Sequence, residues 1–198
     1  AIMSIDTASR LAGGPAPPAA PAATAAAQMV QVWDPQVRAF HWGLVALFIV
    51  AYLSGEDSEK LHLFAGYCVA GLLALRVVWG FIGSPHARFS DFVRSPRAVL
   101  DYIKLSMAHR APRSLGHNPA GGVMTIALML MIGGVCLTGH LMTTTAWWGS
   151  ETMENLHELL VNATLALIAL HLLGNLFSSR AHNENLTMSM VTGLKRPN

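Results

Sequence analysis

The sequence predicts an all-α integral membrane protein: a four-helix bundle with a short amphipathic cytoplasmic helix between the second and third spans. Three observations carry that prediction. Hydrophobic residues make up 53% of the 198-residue chain and charged residues only 12%, with a mean hydropathy of +0.42, a balance unusual for a soluble domain. Four apolar stretches each approach the roughly 20 residues a helix needs to cross a bilayer. The last of them, about 156–177, carries two histidines, His157 and His171, fourteen residues apart. At about 3.6 residues per turn and 1.5 Å rise per residue, both imidazoles leave nearly the same face, on the order of 21 Å apart along the axis.

In chain order, residues 1–31 form an Ala- and Pro-rich arm whose run 13–24 has no periodic apolar face, and it reads as a disordered cytoplasmic tether. Arg10 is followed by Gly and Pro rather than by a sustained apolar run, so a secretory signal is not expected. The domain proper is 32–198. Its first span, about 37–55, carries His41 and Trp42 near its start and ends in a loop with Glu56, Asp57 and Glu59. The second, about 61–83, has His62 in its first turn and Arg76 near its far end.

A polar segment follows, with Arg88, Arg94, Arg97, Lys104, Arg110 and Arg113 opposed only by Asp91 and Asp101, and 98–108 suits an amphipathic helix at the interface. Asn118-Pro119 opens the third span, about 121–142, which holds His140 near its end. A loop with Trp147, Trp148, Glu151 and Glu154 leads to the fourth, and its tryptophans suit a membrane–water interface. Cys68 and Cys136 lie inside apolar runs, as packing residues do and framework disulfides do not.

Every Lys and Arg except Lys60 and Arg76 falls in the arm, at the entrance of span one, in the middle segment or in the tail. Because basic residues concentrate on the cytoplasmic side, both termini are expected there. The opposite, acidic face is then outward. This orientation pairs the histidines by depth: His62 with His157 near the outer face, His41 with His171 near the inner. Ionisable side chains within spans are rare unless they face a bundle interior with a partner. Neutral imidazoles on facing helices can hold a haem in a bundle core. Each histidine taken alone also fits a polar helix end, and His140 is left unassigned.

Further residues fall into longer motifs: Trp33-Asp34-Pro35 and Arg38 before Phe40-His41-Trp42; Leu61-His62 with Gly66-Tyr67; and Arg76 with Trp79-Gly80-Phe81. Ala87-Arg88-Phe89, Gly116 to Gly121, Thr138-Gly139, His157-Glu158 with His171, Asn185-Leu186 and Gly193 to Arg196 continue the series. With these the chain resembles the bacterial dihaem cytochrome b proteins of the nickel–iron-hydrogenase type, and is similar to the membrane subunit of formate dehydrogenases. The resemblance runs from about residue 32 to 196. It implies a four-helix membrane bundle with two non-covalent b-type haems ligated by His41, His62, His157 and His171. It further implies electron transfer between a redox partner outside and a quinone or quinol site near the inner haem.

By the same resemblance, His117 and Asn118 at the inner entrance of span three are candidates for contact with a quinone carbonyl or a haem propionate, although Asn118 equally suits a turn and helix entrance. Arg38 and Arg76 are candidates for propionate pairing, or else side chains that snorkel to lipid phosphate. The expected partners are the lipid bilayer, quinone and a periplasmic cytochrome c or dehydrogenase; no nucleic acid is expected. An electron-transfer subunit of a respiratory oxidoreductase is the leading expectation, with the cytochrome b subunit of a membrane-bound hydrogenase as one alternative. A superoxide oxidase reducing quinone is another, but Lys60 among five outer carboxylates is the wrong sign for drawing in superoxide. A haem-free scaffold or transporter would turn the polar residues into a substrate path.

Overall fold

The computed structural model describes residues 29–197. Four helices are long and apolar enough to cross a membrane: α1, Pro35–Ser54; α2, Glu59–Ile82; α5, Pro119–Met142; and α6, Glu151–Ala181. Among the described residues three shorter α-helices, α3, Phe89–Phe92, α4, Pro96–Met107, and α7, Leu186–Thr192, and one 3-10 turn, Pro85–Ala87, complete the set. A two-stranded antiparallel ribbon joins β1, Val30–Gln31, to β2, Leu194–Lys195. The all-α membrane bundle expected from composition is therefore present.

Local chemistry sets where each span begins. The Asp34 carboxylate accepts from the Val37 N–H at 2.7 Å with Pro35 at the first helical position, so α1 starts capped. Asn118 does the same for α5, its side-chain oxygen accepting from the Gly121 N–H at 2.7 Å with Pro119 following. Ser150 caps α6, and Glu151 and Glu154 sit in its first turn, where a helix N-terminus favours negative charge. Those two glutamates are thus helical, where the sequence reading left them in a loop, and His157 lies nearly two turns inside α6 rather than at its opening. With 31 residues α6 is about 46 Å long. A bilayer core is about 30 Å thick, so α6 outruns it.

Packing pairs α1 with α2 and α5 with α6, and α2 against α5 joins the two hairpins. Few span positions are buried, among them Ala65, Val69 and Arg76 on α2 and Ile132 and Thr138 on α5. Phe64, Leu75, Phe81, Leu130, Leu172 and Leu173 are exposed, which suits hydrocarbon rather than water. Helix α4 turns Val99 and Tyr102 inward and leaves Leu100, Ile103 and Met107 exposed beside Arg97 and Lys104, an apolar stripe with a basic edge. The amphipathic helix expected there is real and starts two residues earlier than expected.

One end of the bundle gathers the described ends of the chain. Val30 and Gln31, assigned to the arm on sequence, pair with Lys195 and Leu194. Val32 and Trp33 both donate to the Gly193 carbonyl, at 2.9 and 3.1 Å. Gly193 takes φ 83°, a left-handed conformation that favours glycine and ends α7. Its neighbour Lys195 is buried, 3.7 Å from the Glu184 carboxylate, which Arg113 also meets at 2.7 Å. The remainder of the expected arm lies outside the described residues.

Candidate functional site

At the end away from the termini, α2 and α6 bring two imidazoles together. The His62 and His157 ring centres are 6.2 Å apart, with ring planes at 74°. His62 donates from Nδ1 to the Ala51 carbonyl at 2.8 Å. That carbonyl lies in the last turn of α1, where helices leave acceptors unused. His157 Nδ1 lies 2.9 Å from the Thr138 hydroxyl on α5. Each ring thus spends Nδ1 on a neighbouring helix and keeps Nε2 for whatever stands between the two.

The gap suits one metal ion: two metal–nitrogen bonds of about 2 Å and two half-rings make up such a separation. Glycines leave room beside it. Gly66, one turn along from His62, has open space where a Cβ would stand, and at Gly139 a Cβ would meet the His157 ring at 3.2 Å. Among the described residues no three His, Cys, Asp or Glu side chains gather into a metal cage.

The second pair belongs to the termini end. His41 on α1 is near enough to His171 on α6 for the two to interact electrostatically. Its Nδ1 is buried without a hydrogen-bond partner, and its ring stands perpendicular to that of Trp42 at 5.0 Å. Gly174, three residues beyond His171, again opens onto empty space.

Around this pair the orphaned donors collect. Among the described residues, the buried side-chain nitrogens with no partner are Arg38 Nε, His41 Nδ1, Arg76 Nη1 and His117 Nδ1. All four belong to residues singled out on sequence. A buried donor left unmatched costs on the order of 1–3 kcal/mol, so a cluster of them marks a place built to receive acceptors. Arg76 is only 4% exposed, donates to the Ala87 carbonyl at 3.0 Å and lies over the Phe89 ring. It does not snorkel. Arg38 reaches the Val191 carbonyl at the end of α7.

His117 packs between Trp33 and Phe92, ring centres 4.8 and 4.6 Å away. Burial, with the positive charges of Arg76 and Lys195 and the nearby His171 and His86, pushes its pKa down to about 3. It is neutral at any physiological pH. Burial alone would raise the Asp34 carboxyl, but hydrogen bonds from Ser84, the Val37 N–H and Trp79 outweigh it and hold the group below its usual value. The residues at this end fit an anionic, carboxylate-bearing macrocycle: cationic and neutral donors inside aromatic walls. Asn118 stands apart, its side-chain oxygen committed to the α5 cap.

Sequence reasoning missed several supports. Thr138 appeared only within a motif, and its contact with His157 depends on which faces of α5 and α6 meet. His140 finds its partner in Tyr67, whose hydroxyl lies 3.0 Å from Nδ1. Lys195 and Trp33, remote in sequence from His117, close over it from the tail and from the segment before α1.

The model of the prokaryotic cytochrome b561 family matches residues 32–193. A protein of Bradyrhizobium diazoefficiens named "Probable Ni/Fe-hydrogenase B-type cytochrome subunit" is 23% identical over 209 residues, covering 83% of this chain and 85% of its own. One of the same name from Rhizobium leguminosarum bv. viciae is 23% identical over 211 residues, covering 84% and 88%. No solved structure matches significantly.

Proposed function

This chain belongs to the prokaryotic cytochrome b561 family, and from that premise we propose that it is a dihaem cytochrome carrying electrons between a periplasmic redox partner and the quinone pool. It is an integral membrane b-type cytochrome of electron transfer. In our reading His62 and His157 hold one haem near the outer face, and His41 and His171 hold the other near the inner face. When bound, each haem supplies reversible one-electron iron chemistry. The observation that carries this reading is the His62–His157 pair, with both Nδ1 atoms engaged and the rings 6.2 Å apart.

The chain's own residues then have distinct tasks. Ala51 and Thr138 fix the outer pair of rings. Arg76 and Arg38 offer charged donors to propionates at the inner end, and neutral His117 offers a hydrogen bond to a propionate or a quinone carbonyl. Asn118 keeps the helix entrance beside them. A groove running from α6 to the start of α7, with Leu172, Asn175, Leu176, Ser179, Arg180 and Glu184 in its lining, begins one residue past His171, and in our reading it is where a lipid-soluble quinone approaches.

The basic middle segment and tail support cytoplasmic termini in the inner membrane, with the residues ahead of the β1–β2 ribbon as a cytoplasmic arm and the remainder as one domain. On the opposite side Glu56, Asp57, Glu59, Glu151 and Glu154 favour a partner with a basic docking face, such as a cytochrome c or a dehydrogenase. A hydrogenase as that partner is the second reading, favoured by the names of the two relatives.

The test is a haem assay with reduced-minus-oxidised spectra on the purified chain and its single alanine variants. Two non-covalent haems per chain are expected. His62→Ala and His157→Ala should remove one spectral component, and His41→Ala and His171→Ala the other. No haem, or one haem indifferent to His41 and His171, would sink the reading.

A further inference from the structure

The outer pair of histidines is held by two unlike acceptors, one of them a side chain. Thr138 is 5% exposed and lies near the end of α5, where that helix packs against α6. Its Oγ1 lies 2.9 Å from the Gly134 carbonyl and 3.1 Å from the Val135 carbonyl, one turn back on its own helix. Carbonyl oxygens only accept, so they give the hydroxyl proton an outlet and leave Oγ1 able to accept from a neighbouring N–H. His157 Nδ1 stands 2.9 Å away. A neutral His157 that ligates through Nε2 carries its proton on Nδ1, and Oγ1 is the acceptor that suits it.

We infer that Thr138 is a positioning residue for the outer haem, fixing the tautomer and the ring angle of His157 through its hydroxyl oxygen. The inference rests on the reading of His62 and His157 as that haem's ligands. His62 is held differently, by a backbone carbonyl at a helix C-terminus, which no side-chain replacement removes. The Ser54 hydroxyl shares that carbonyl, but the one side chain bonded to a ring of this pair among the described contacts is Thr138. The neighbouring helix surface is shaped to match: Gly139 lets the His157 ring lie where any side chain would intrude.

Removing the hydroxyl leaves the Nδ1 proton without the oxygen that orients it, and the imidazole is free to turn. Partners of this kind typically change metal-site affinity about 10- to 100-fold.

The experiment compares Thr138→Val, Thr138→Ala and Thr138→Ser in the purified full chain. It reads the low-spin EPR signal and midpoint potential of each haem, and haem retention on titration with apomyoglobin. Thr138→Val and Thr138→Ala should shift the outer haem's EPR signal and potential and weaken its retention at least tenfold. The inner haem should stay unchanged. Thr138→Ser, which keeps the oxygen, should restore the wild-type signal. Outer-haem signals unaltered in Val and Ala, or altered equally in Ser, would overturn the role of Thr138. The wild-type chain and His157→Ala, measured alongside, test the ligand assignment separately.

Discussion

His117 shows how much a single enclosed ring controls. It lies between Trp33 and Phe92 and titrates near 3 against 6.5 for an ordinary histidine. Between those values the unfolded chain binds a proton that the folded chain refuses. Stability therefore falls as pH drops from 6.5 towards 3 and is fully present above 6.5. Inactivation half-lives in detergent should shorten over that window, and His117→Phe, which keeps the aromatic packing, should flatten the dependence. An unchanged pH profile in the variant would count against the burial of this ring. Sequence alone singled out His117 as a polar group at a helix entrance. Its neutrality was not legible there, because it depends first on burial between Trp33 and Phe92 and then on Arg76 and Lys195, all brought in from other segments.

The elements were the most legible part, because spanning helices must satisfy their backbone internally and expose apolar side chains along their length. Boundaries were less so. The fourth span was read from its apolar run, yet Ser150 and two glutamates begin α6 before that run, through capping and charge rather than hydropathy. The ribbon of β1 and β2 escaped notice because strands of two residues have no periodicity to detect. Close approach between elements was also hidden. At Gly122 on α5 an added Cβ would stand 2.5 Å from the Phe92 carbonyl at the end of α3, and backbone does not yield as a side chain does. Gly122→Ala should therefore destabilise the protein by about 1–3 kcal/mol, the range typical of overpacking, seen as a lowered thermal midpoint. Gly174→Ala, in open space, should cost far less unless a bound group occupies that space.

At the scale of the whole molecule, charge separates the two ends of the bundle as clearly as helix direction does. The acidic end presents carboxylates at helix starts, and the basic end, though most of its arginines are exposed, buries Arg76 and Lys195. There Glu184 is only 7% exposed at its side chain, with Arg113 at 2.7 Å and buried Lys195 at 3.7 Å. Arg113 also donates to the Arg196 and Pro197 carbonyls, at 2.7 and 3.1 Å. Removing the carboxylate leaves Lys195 buried without its counter-charge. Glu184→Gln should thus cost about 3 kcal/mol. Hydrogen exchange should rise selectively across 194–197 and 30–33, and uniform exchange across the chain would refute a local role. The pairing of histidines by depth was legible because fourteen residues fix a distance along a helix. The ion cluster was not, since its members are 71 and 11 residues apart in sequence.

The ribbon between β1 and β2 also has a mechanical meaning. Load applied at the tail meets Arg113 first, through the Arg196 and Pro197 carbonyls, and then Gly193, whose carbonyl receives two amide protons from the segment before α1. A tug at the tail is therefore borne by a short zipper of hydrogen bonds and by the Glu184 cluster, outside every spanning helix. Zipper, cluster and α7 thus stand between the tail and α6, which carries His157 and His171.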